Sequence, residues 1–300
     1  MNILIVGLGS IAAKHIQAIS NNEIEAKIMA LRHSKDASVI PGVINIFSFN
    51  DLKDQVDFII ISNPTSEHYN TIQKCISLNC PLFIEKPLFS KPEDFETLNK
   101  LVNDKGIKTY VACVLRFHPV VKFLKNNLKN LGTVINEVNI YCGSYLPEWR
   151  PGVDYRTIYS AQKAMGGGVH LDLIHEIDYA IYLFGKPNRI KKTFRANSSL
   201  KIDAYDYANY CLIYDTFVIN VVLNYYRIDP KREIEILFND KTITGDLLKF
   251  RIQDNKGDII FSSNLDIQQL YDEQIHYFCN NDFTMNNIEE AWEILKIIFE

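Results

Sequence analysis

The sequence predicts an α/β chain of two domains: a doubly wound parallel sheet, then a second domain rich in antiparallel strands. Three observations carry that expectation. Short β-branched runs alternate with helix-length segments from the first residue to about Arg116. The first of those runs flows directly into a glycine turn, and beyond Asn197 turn residues punctuate a series of short apolar runs. Length agrees, since 300 residues at about 150 per domain gives two.

Met1–Val6 (MNILIV) reads as the first strand, followed by Gly7-Leu8-Gly9-Ser10-Ile11-Ala12 and a helix from about Ile11 through Ile19. Strand, glycine turn and helix is the setting in which G-x-G-x-x-A points to a dinucleotide. Gly7 permits the tight turn, Gly9 lets the backbone approach a pyrophosphate, and Ala12 keeps the helix close to the sheet. The helix start, at Ser10 and Ile11, supplies N–H groups without intrahelical acceptors. A second strand, Ala26–Leu31, ends in Arg32-His33-Ser34. An acidic residue there would bind the ribose 2′-hydroxyl of NAD, whereas the cation of Arg32 and the hydroxyl of Ser34 suit a 2′-phosphate, so NADP is preferred over NAD.

Asp57–Ser62 is apolar through its middle, as in a parallel sheet covered on both faces, and runs into Asn63-Pro64-Thr65-Ser66-Glu67-His68. Ligands of open α/β sheets bind outside the carboxyl ends of strands, so Asn63, Pro64 and Thr65, with His68 after them, are expected at the cofactor crevice. Pro81–Ile84 is the next strand and ends in Glu85-Lys86-Pro87-Leu88, which sets Lys86 at a carboxyl end as well. Tyr110–Leu115 is a fifth strand leading into Arg116-Phe117-His118-Pro119, and the domains divide there, 1–118 and 119–300.

Composition narrows the class. Lys plus Arg number 32 against 36 Asp plus Glu, a net charge of −4 that lacks the basic excess of a general nucleic-acid binder. With 47% hydrophobic residues the chain is too apolar to be disordered. No apolar run approaches the ~18 residues of a membrane helix, and the first residues lack a basic, cleavable leader. Cys75, Cys80, Cys113, Cys142, Cys211 and Cys279 are scattered without a C-x-x-C pair, which fits reduced thiols in a cytoplasmic protein and no metal site.

The second half opens on a long loop, Tyr145–Pro151 followed by Asp154-Tyr155-Arg156, that leads to Gly166-Gly167-Gly168. Aromatic rings beside arginines suit a stacked sugar with an anionic handle, and the same loop reads equally well as a subunit-contact arm. Arg116, Arg150, Arg156 and Lys163 are the candidates for an anionic group, with Tyr155 beside them. Tyr207–Tyr214, Phe217–Tyr226, Arg232–Phe238, Lys241–Gly245, Leu248–Gln253 and Asp258–Phe261 read as antiparallel strands. The alternation in Phe217–Tyr226 is blurred, so both sheet faces are expected to be covered, one by helices and one by a partner subunit. Helices at about Leu265–Asn280 and Asn287–Phe299 close the chain.

Taken in order, G-x-G-x-x-A, N-P-T-x-x-H, E-K-P-L and G-G-G-V-H-L-D with His175 and Asp178 resemble the Gfo/Idh/MocA family across essentially the whole chain. These are NAD(P)-dependent oxidoreductases typified by glucose–fructose oxidoreductase and inositol dehydrogenase. The resemblance implies an N-terminal Rossmann domain and a C-terminal α+β domain with a large, mostly antiparallel open sheet that mediates homodimer or homotetramer contacts. It implies that Lys86 contacts the hydroxyl or carbonyl undergoing reaction, that the Lys86–Pro87 bond is often cis, and that Glu85 supports the nicotinamide end. By the same resemblance His175 is the general acid/base and Asp172 orients or relays, both beside the substrate. Imidazole suits proton transfer near neutral pH, and a lysine can stabilise alkoxide character. His170 is expected to be structural, and His15 to pack beneath the cofactor.

Two departures stand out. The family places its aspartate and histidine four positions apart, while Asp172 and His175 are three apart; on one helix both spacings share a face. Val114 stands where many members carry a polar residue. The stretch P-x-W-x-P…D-Y-R…G-G-G resembles a branch found with surface-polysaccharide and nonulosonic-acid sugars. The expected function is hydride transfer between a nicotinamide and a sugar, nucleotide sugar or sugar acid. The rival reading, from another class, is a cofactor-binding sensor or co-regulator of the same fold without catalysis.

Overall fold

The computed structural model describes residues 1–34, 39–280 and 284–300. The chain packs as two compact units, one of residues 1–113 with 266–300 and one of 114–265.

The first unit is built on the strands β1 (Asn2–Val6), β2 (Lys27–Leu31), β3 (Val43–Ile46), β4 (Phe58–Ile61), β5 (Leu82–Glu85) and β6 (Thr109–Ala112), with helices α1 (Ser10–Asn21), α2 (His68–Cys75) and α3 (Phe95–Asp104) between them. The sheet order is β3-β2-β1-β4-β5-β6 and every pairing is parallel. This is the Rossmann order, in which strand sequence reverses between β1 and β4 and opens a crevice at their carboxyl ends. Ile3, Leu4, Ile5, Ile59, Ile60, Ile61, Leu82, Phe83 and Ile84 are wholly buried, as the uninterrupted apolar runs require of a sheet covered on both faces. The four-residue edge strand β3 has no counterpart in the sequence reading. The expected strand Tyr110–Leu115 ends at Ala112, and Val114–Phe117 instead forms a 3-10 turn.

The second unit begins with α4 (Pro119–Leu131), started by Pro119 at its first turn and by His118, whose ring accepts a hydrogen bond from the Val120 N–H. It continues through β7 (Ile135–Tyr145), α5 (Val169–Asp172), α6 (His175–Phe184) and the strands β8 (Arg189–Arg195), β9 (Tyr207–Ile213), β10 (Val218–Asn224), β11 (Tyr226–Phe238), β12 (Thr242–Asp246), β13 (Arg251–Asp254) and β14 (Ile259–Ser262). The sheet runs β14-β13-β12-β11-β7-β10-β9-β8, and only β7 with β10 is parallel. Burial alternates along β9 throughout, and along β10 and β12 until each ends on two buried residues, where the sequence pattern in Phe217–Tyr226 reads as blurred. One face, with Ala208, Tyr210, Leu212, Ile219, Val221 and Leu223, is buried, and α5 and α6 pack on it. The other face is half-exposed.

The chain then returns to the first unit with α7 (Ile267–Asn280) and α8 (Ile288–Phe299). The sequence reading divided the chain once, at 118/119; the structure packs residues 266–300 with the first sheet instead. Phe278 of α7 meets Phe58 and Phe83 edge-on at 5.1 and 5.3 Å. Asn286 bonds the edge strand β6 twice, its carbonyl accepting from Val111 N–H and its side-chain amide donating to Val111 O. That covers an edge otherwise open to pairing.

Candidate cofactor site and second-unit carboxylate cluster

In the first unit, residues from separate strand ends converge. Gly7 has φ +89°, and a Cβ there would lie 2.5 Å from the Asn63 backbone, so the ends of β1 and β4 approach more closely than any other residue permits. Ser62 Oγ donates to the Gly7 carbonyl at 2.7 Å and fixes that approach. Gly9 is the N-cap of α1, with no side chain capping the helix and no acid in its first turn. A Cβ on Gly9 would meet nothing within 4 Å. The N–H groups of Ser10, Ile11 and Ala12 thus stand at a helix start suited to an anion. Asn63 is buried, and its Nδ2 donates to Thr71 Oγ1 at 2.8 Å. Its Oδ1 has no hydrogen-bond partner among the described residues. A buried acceptor left so is costly, and a ligand donor at the β4 end would satisfy it. Pro64 is exposed beside it and Thr65 buried. These features fit a dinucleotide: an open turn for the diphosphate and an acceptor for a hydroxyl or amide.

At the end of β2 the Arg32 N–H donates to Ile46 O at 2.9 Å, while its guanidinium reaches Asn45 Oδ1 at 3.4 Å. Ser34 is exposed. At the end of β5, Glu85 is 7% exposed. Its Oε1 lies 2.6 Å from His15 Nε2, and its Oε2 accepts the Lys86 N–H at 3.2 Å. Lys86 is half-exposed, and the Lys86–Pro87 bond is cis.

His68 does not face the crevice. It is fully buried, with Nε2 3.0 Å from Asn63 O and Nδ1 3.1 and 3.2 Å from the Pro87 and Leu88 carbonyls. Burial depresses its pKa, with the carbonyls opposing. The expectation that it binds cofactor is therefore corrected: it ties the β4 turn to the β5 turn from behind.

In the second unit the focus is Asp172, 8% exposed at the end of α5. Its Oδ1 accepts from Tyr159 OH at 2.6 Å and its Oδ2 from Tyr225 OH at 2.5 Å. Burial and the Asp172 charge push the Tyr225 hydroxyl well above its ordinary pKa, so it remains a donor. Trp149, exposed at its rim, sits edge-on to Tyr225 at 5.3 Å and donates to Ser144 Oγ. The glycine run makes this possible: a Cβ on Gly167 would strike Tyr159 O at 2.2 Å.

Asp172 and His175 do not share one helix. The chain turns at Leu173–Ile174, and His175, 8% exposed, opens α6. In the same turn of α6, Glu176 is fully buried against Arg232, at 2.7 and 3.2 Å. Arg116 is corrected too. It is 6% exposed, binds Asp178 through Nε and Nη2 at 2.7–3.2 Å and lies over Tyr182. Its charge is spent inside the unit on Asp178. Tyr155 donates to Leu200 O at 3.0 Å, and exposed Arg156 stacks on the Tyr155 ring at 4.9 Å. Lys163 is exposed with its ammonium 5.7 Å from the Tyr205 ring centre, and Arg150 is exposed. His170 is buried against Phe194 and Tyr205.

Sequence reasoning missed Tyr159 and Tyr225, which reach Asp172 across 13 and 53 residues. No spacing rule covers such distances. The His15–Glu85 bond, across 70 residues, was equally invisible.

Residues 1–113 match the family described as Gfo/Idh/MocA, oxidoreductase family, NAD-binding Rossmann fold. Among curated relatives, scyllo-inositol 2-dehydrogenase (NADP(+)) IolW of Bacillus subtilis is 24% identical over 63% of this chain and 52% of its own length. Inositol 2-dehydrogenase of Rhizobium meliloti is 25% identical over 71% of this chain and 64% of its own. The chain thus spans about half to two thirds of the length of these relatives. Among solved structures, the WlbA dehydrogenase from Bordetella pertussis, in complex with NADH and UDP-GlcNAcA, superposes with TM-score 0.80 at 16% identity over 99% of this chain and 94% of its own. At that identity the likeness shows a shared fold.

Proposed function

We propose that this chain, whose residues 1–113 belong to the Gfo/Idh/MocA oxidoreductase family, transfers a hydride between a bound nicotinamide and a hydroxyl or carbonyl carbon of a sugar, nucleotide sugar or sugar acid. The observation that carries the reading is the first-unit crevice. It holds an uncapped helix start at Gly9, an orphaned acceptor on Asn63, and Lys86 at the carboxyl end of β5. Gly7, Gly9, Ser10, Ile11 and Ala12 would hold the diphosphate, and Asn63, Pro64, Thr65 and Glu85 the rest of the dinucleotide. When bound, the nicotinamide supplies the hydride acceptor or donor. Lys86 holds the substrate oxygen and stabilises the charge it gains as its proton leaves. His175 takes or returns that proton, and Asp172 orients the hydroxyl of Tyr159.

NADP is the preferred cofactor, because Arg32 and Ser34 stand where an acid would select NAD. The relatives divide on this point: IolW is named for NADP(+), and the WlbA structure holds NADH. Arg150, Arg156 and Lys163 are the exposed cations for an anionic substrate group, and the UDP-sugar acid in the WlbA structure is of that kind. Among the described residues no helix is long and apolar enough to cross a membrane. The free, mostly buried cysteines fit the reducing cytoplasm.

The half-exposed sheet face is proposed to pack on a second copy. Arg189, Lys191 and Arg195 on β8 share that face with Glu137 on β7 and Glu233 and Glu235 on β11. A two-fold axis along β10 lays the cationic strand over the acidic ones.

The test is nicotinamide absorbance with a panel of nucleotide sugars and sugar acids. Turnover with at least one of them, lost in Lys86→Met, is expected. Tight cofactor binding with no turnover across the panel would favour the sensor reading. Calorimetric titration in which NADH binds much more tightly than NADPH would overturn the Arg32–Ser34 argument.

A further inference from the structure

We propose that His15 is a positioning residue that acts on Lys86 through Glu85; the proposal rests on Lys86 contacting the reacting oxygen. His15 lies in the second turn of α1 and is 0% exposed. Its ring is lodged between Phe83 of β5 at 4.8 Å and Tyr271 of α7 at 5.6 Å. Nε2 lies 2.6 Å from Glu85 Oε1, while Nδ1 has no hydrogen-bond partner among the described residues. That asymmetry fixes the tautomer. A proton on Nδ1 would be a buried donor with no acceptor, so the single ring proton sits on Nε2 and points at the carboxylate.

Glu85 is therefore held from two sides, by the imidazole on Oε1 and by the Lys86 N–H on Oε2. The carboxylate couples α1, whose start would hold the cofactor diphosphate, to the peptide that aims Lys86. Without the imidazole donor, Glu85 keeps a single charge-assisted bond in a site shielded from water, and the Lys86 backbone loses its fixed acceptor. A side chain of similar reach that still donates one N–H would preserve the arrangement. Packing alone would not distinguish such a side chain from an apolar one.

The experiment compares His15→Gln with His15→Leu in the full-length protein. His15→Leu is expected to lower kcat by roughly tenfold to a hundredfold, the scale of a small misplacement, with the Kd for the preferred cofactor kept within about threefold. His15→Gln is expected to restore kcat to within about threefold of the parent, because the amide donates to Glu85. Equal losses in both variants, or a loss confined to cofactor affinity or melting temperature, would overturn the proposal. A second arm needs neither substrate nor cofactor. Nitrogen NMR of histidine-labelled protein should show the His15 ring protonated on Nε2 and bare on Nδ1, with the Nε2–H resonance shifting in Glu85→Gln. A proton on Nδ1, or a resonance indifferent to Glu85→Gln, overturns the pair itself. Undiminished turnover in Lys86→Met would instead overturn the assignment of Lys86, which the NMR arm does not touch.

Discussion

A guanidinium and a carboxylate that cannot reach water depend on each other. Arg116 and Asp178, with side chains 5% and 1% exposed, are such a pair. Arg116→Ala should therefore cost about 3–5 kcal/mol of stability by stranding the Asp178 charge, while Arg116→Met with Asp178→Leu recovers most of it. Urea denaturation checks this, and a raised KM with unchanged stability would return Arg116 to the substrate. Two buried histidines give a pH signature. Burial pushes His118 and His170 down to about 4, against the pull of the Leu247 carbonyl on one and of Asp172 on the other. The unfolded chain binds those protons at an ordinary value near 6.5, so between about pH 6.5 and 4 it holds more of them than the folded chain. Stability from this source is complete above about 6.5 and falls as pH drops toward 4, by about 3 kcal/mol per histidine. Denaturation midpoints measured across that window should decline with acid. In His118→Asn the decline should be shallower; an unchanged slope would contradict the assignment.

Elements were legible where local chemistry decides them. The run MNILIV and the glycines after it dictate backbone over a few residues, and β1 and α1 stand where those signals lie. Partners across the sequence were not legible. Asp172 was read as the orienter of His175 on one helix, yet the helix breaks between them and tyrosines from a loop and from the bend between β10 and β11 take the carboxylate. That loop is seated by glycine. Gly167→Ala places a Cβ 2.2 Å from Tyr159 O, so Tyr159 should leave Asp172 and kcat should drop at least roughly tenfold, with melting temperature falling only modestly. Wild-type kinetics in Gly167→Ala would contradict the seating. Nothing in the sequence of α7 and α8 says which sheet they cover, because an amphipathic helix fits either. With Phe278 against Phe58 and Phe83, a chain ended after Leu265 should lose cofactor binding in titration and expose first-unit apolar surface to dye. A truncated chain that still binds cofactor would refute that packing.

For the whole molecule, the two-sheet α/β plan was readable because parallel and antiparallel strands leave different patterns: continuous apolar runs in the first half, short runs punctuated by turn residues in the second. The charge pattern of the open face emerged only with register, which aligns residues of β8, β9, β10, β7 and β11 that are far apart in sequence. Light scattering should find an oligomer that dissociates in Arg189→Glu with Lys191→Glu, dissociates in Glu233→Lys with Glu235→Lys, and partly re-forms when the two doubly substituted chains are mixed. Failure of either charge reversal to alter mass would remove this face as the interface. The central claim is hydride transfer, and isotope transfer tests it most directly. Reduced cofactor deuterated at the transferring position, incubated with the keto form of whichever panel sugar turns over, should yield a hydroxyl product carrying one deuterium on carbon. A product without deuterium, formed while the cofactor returns unchanged, would contradict the account.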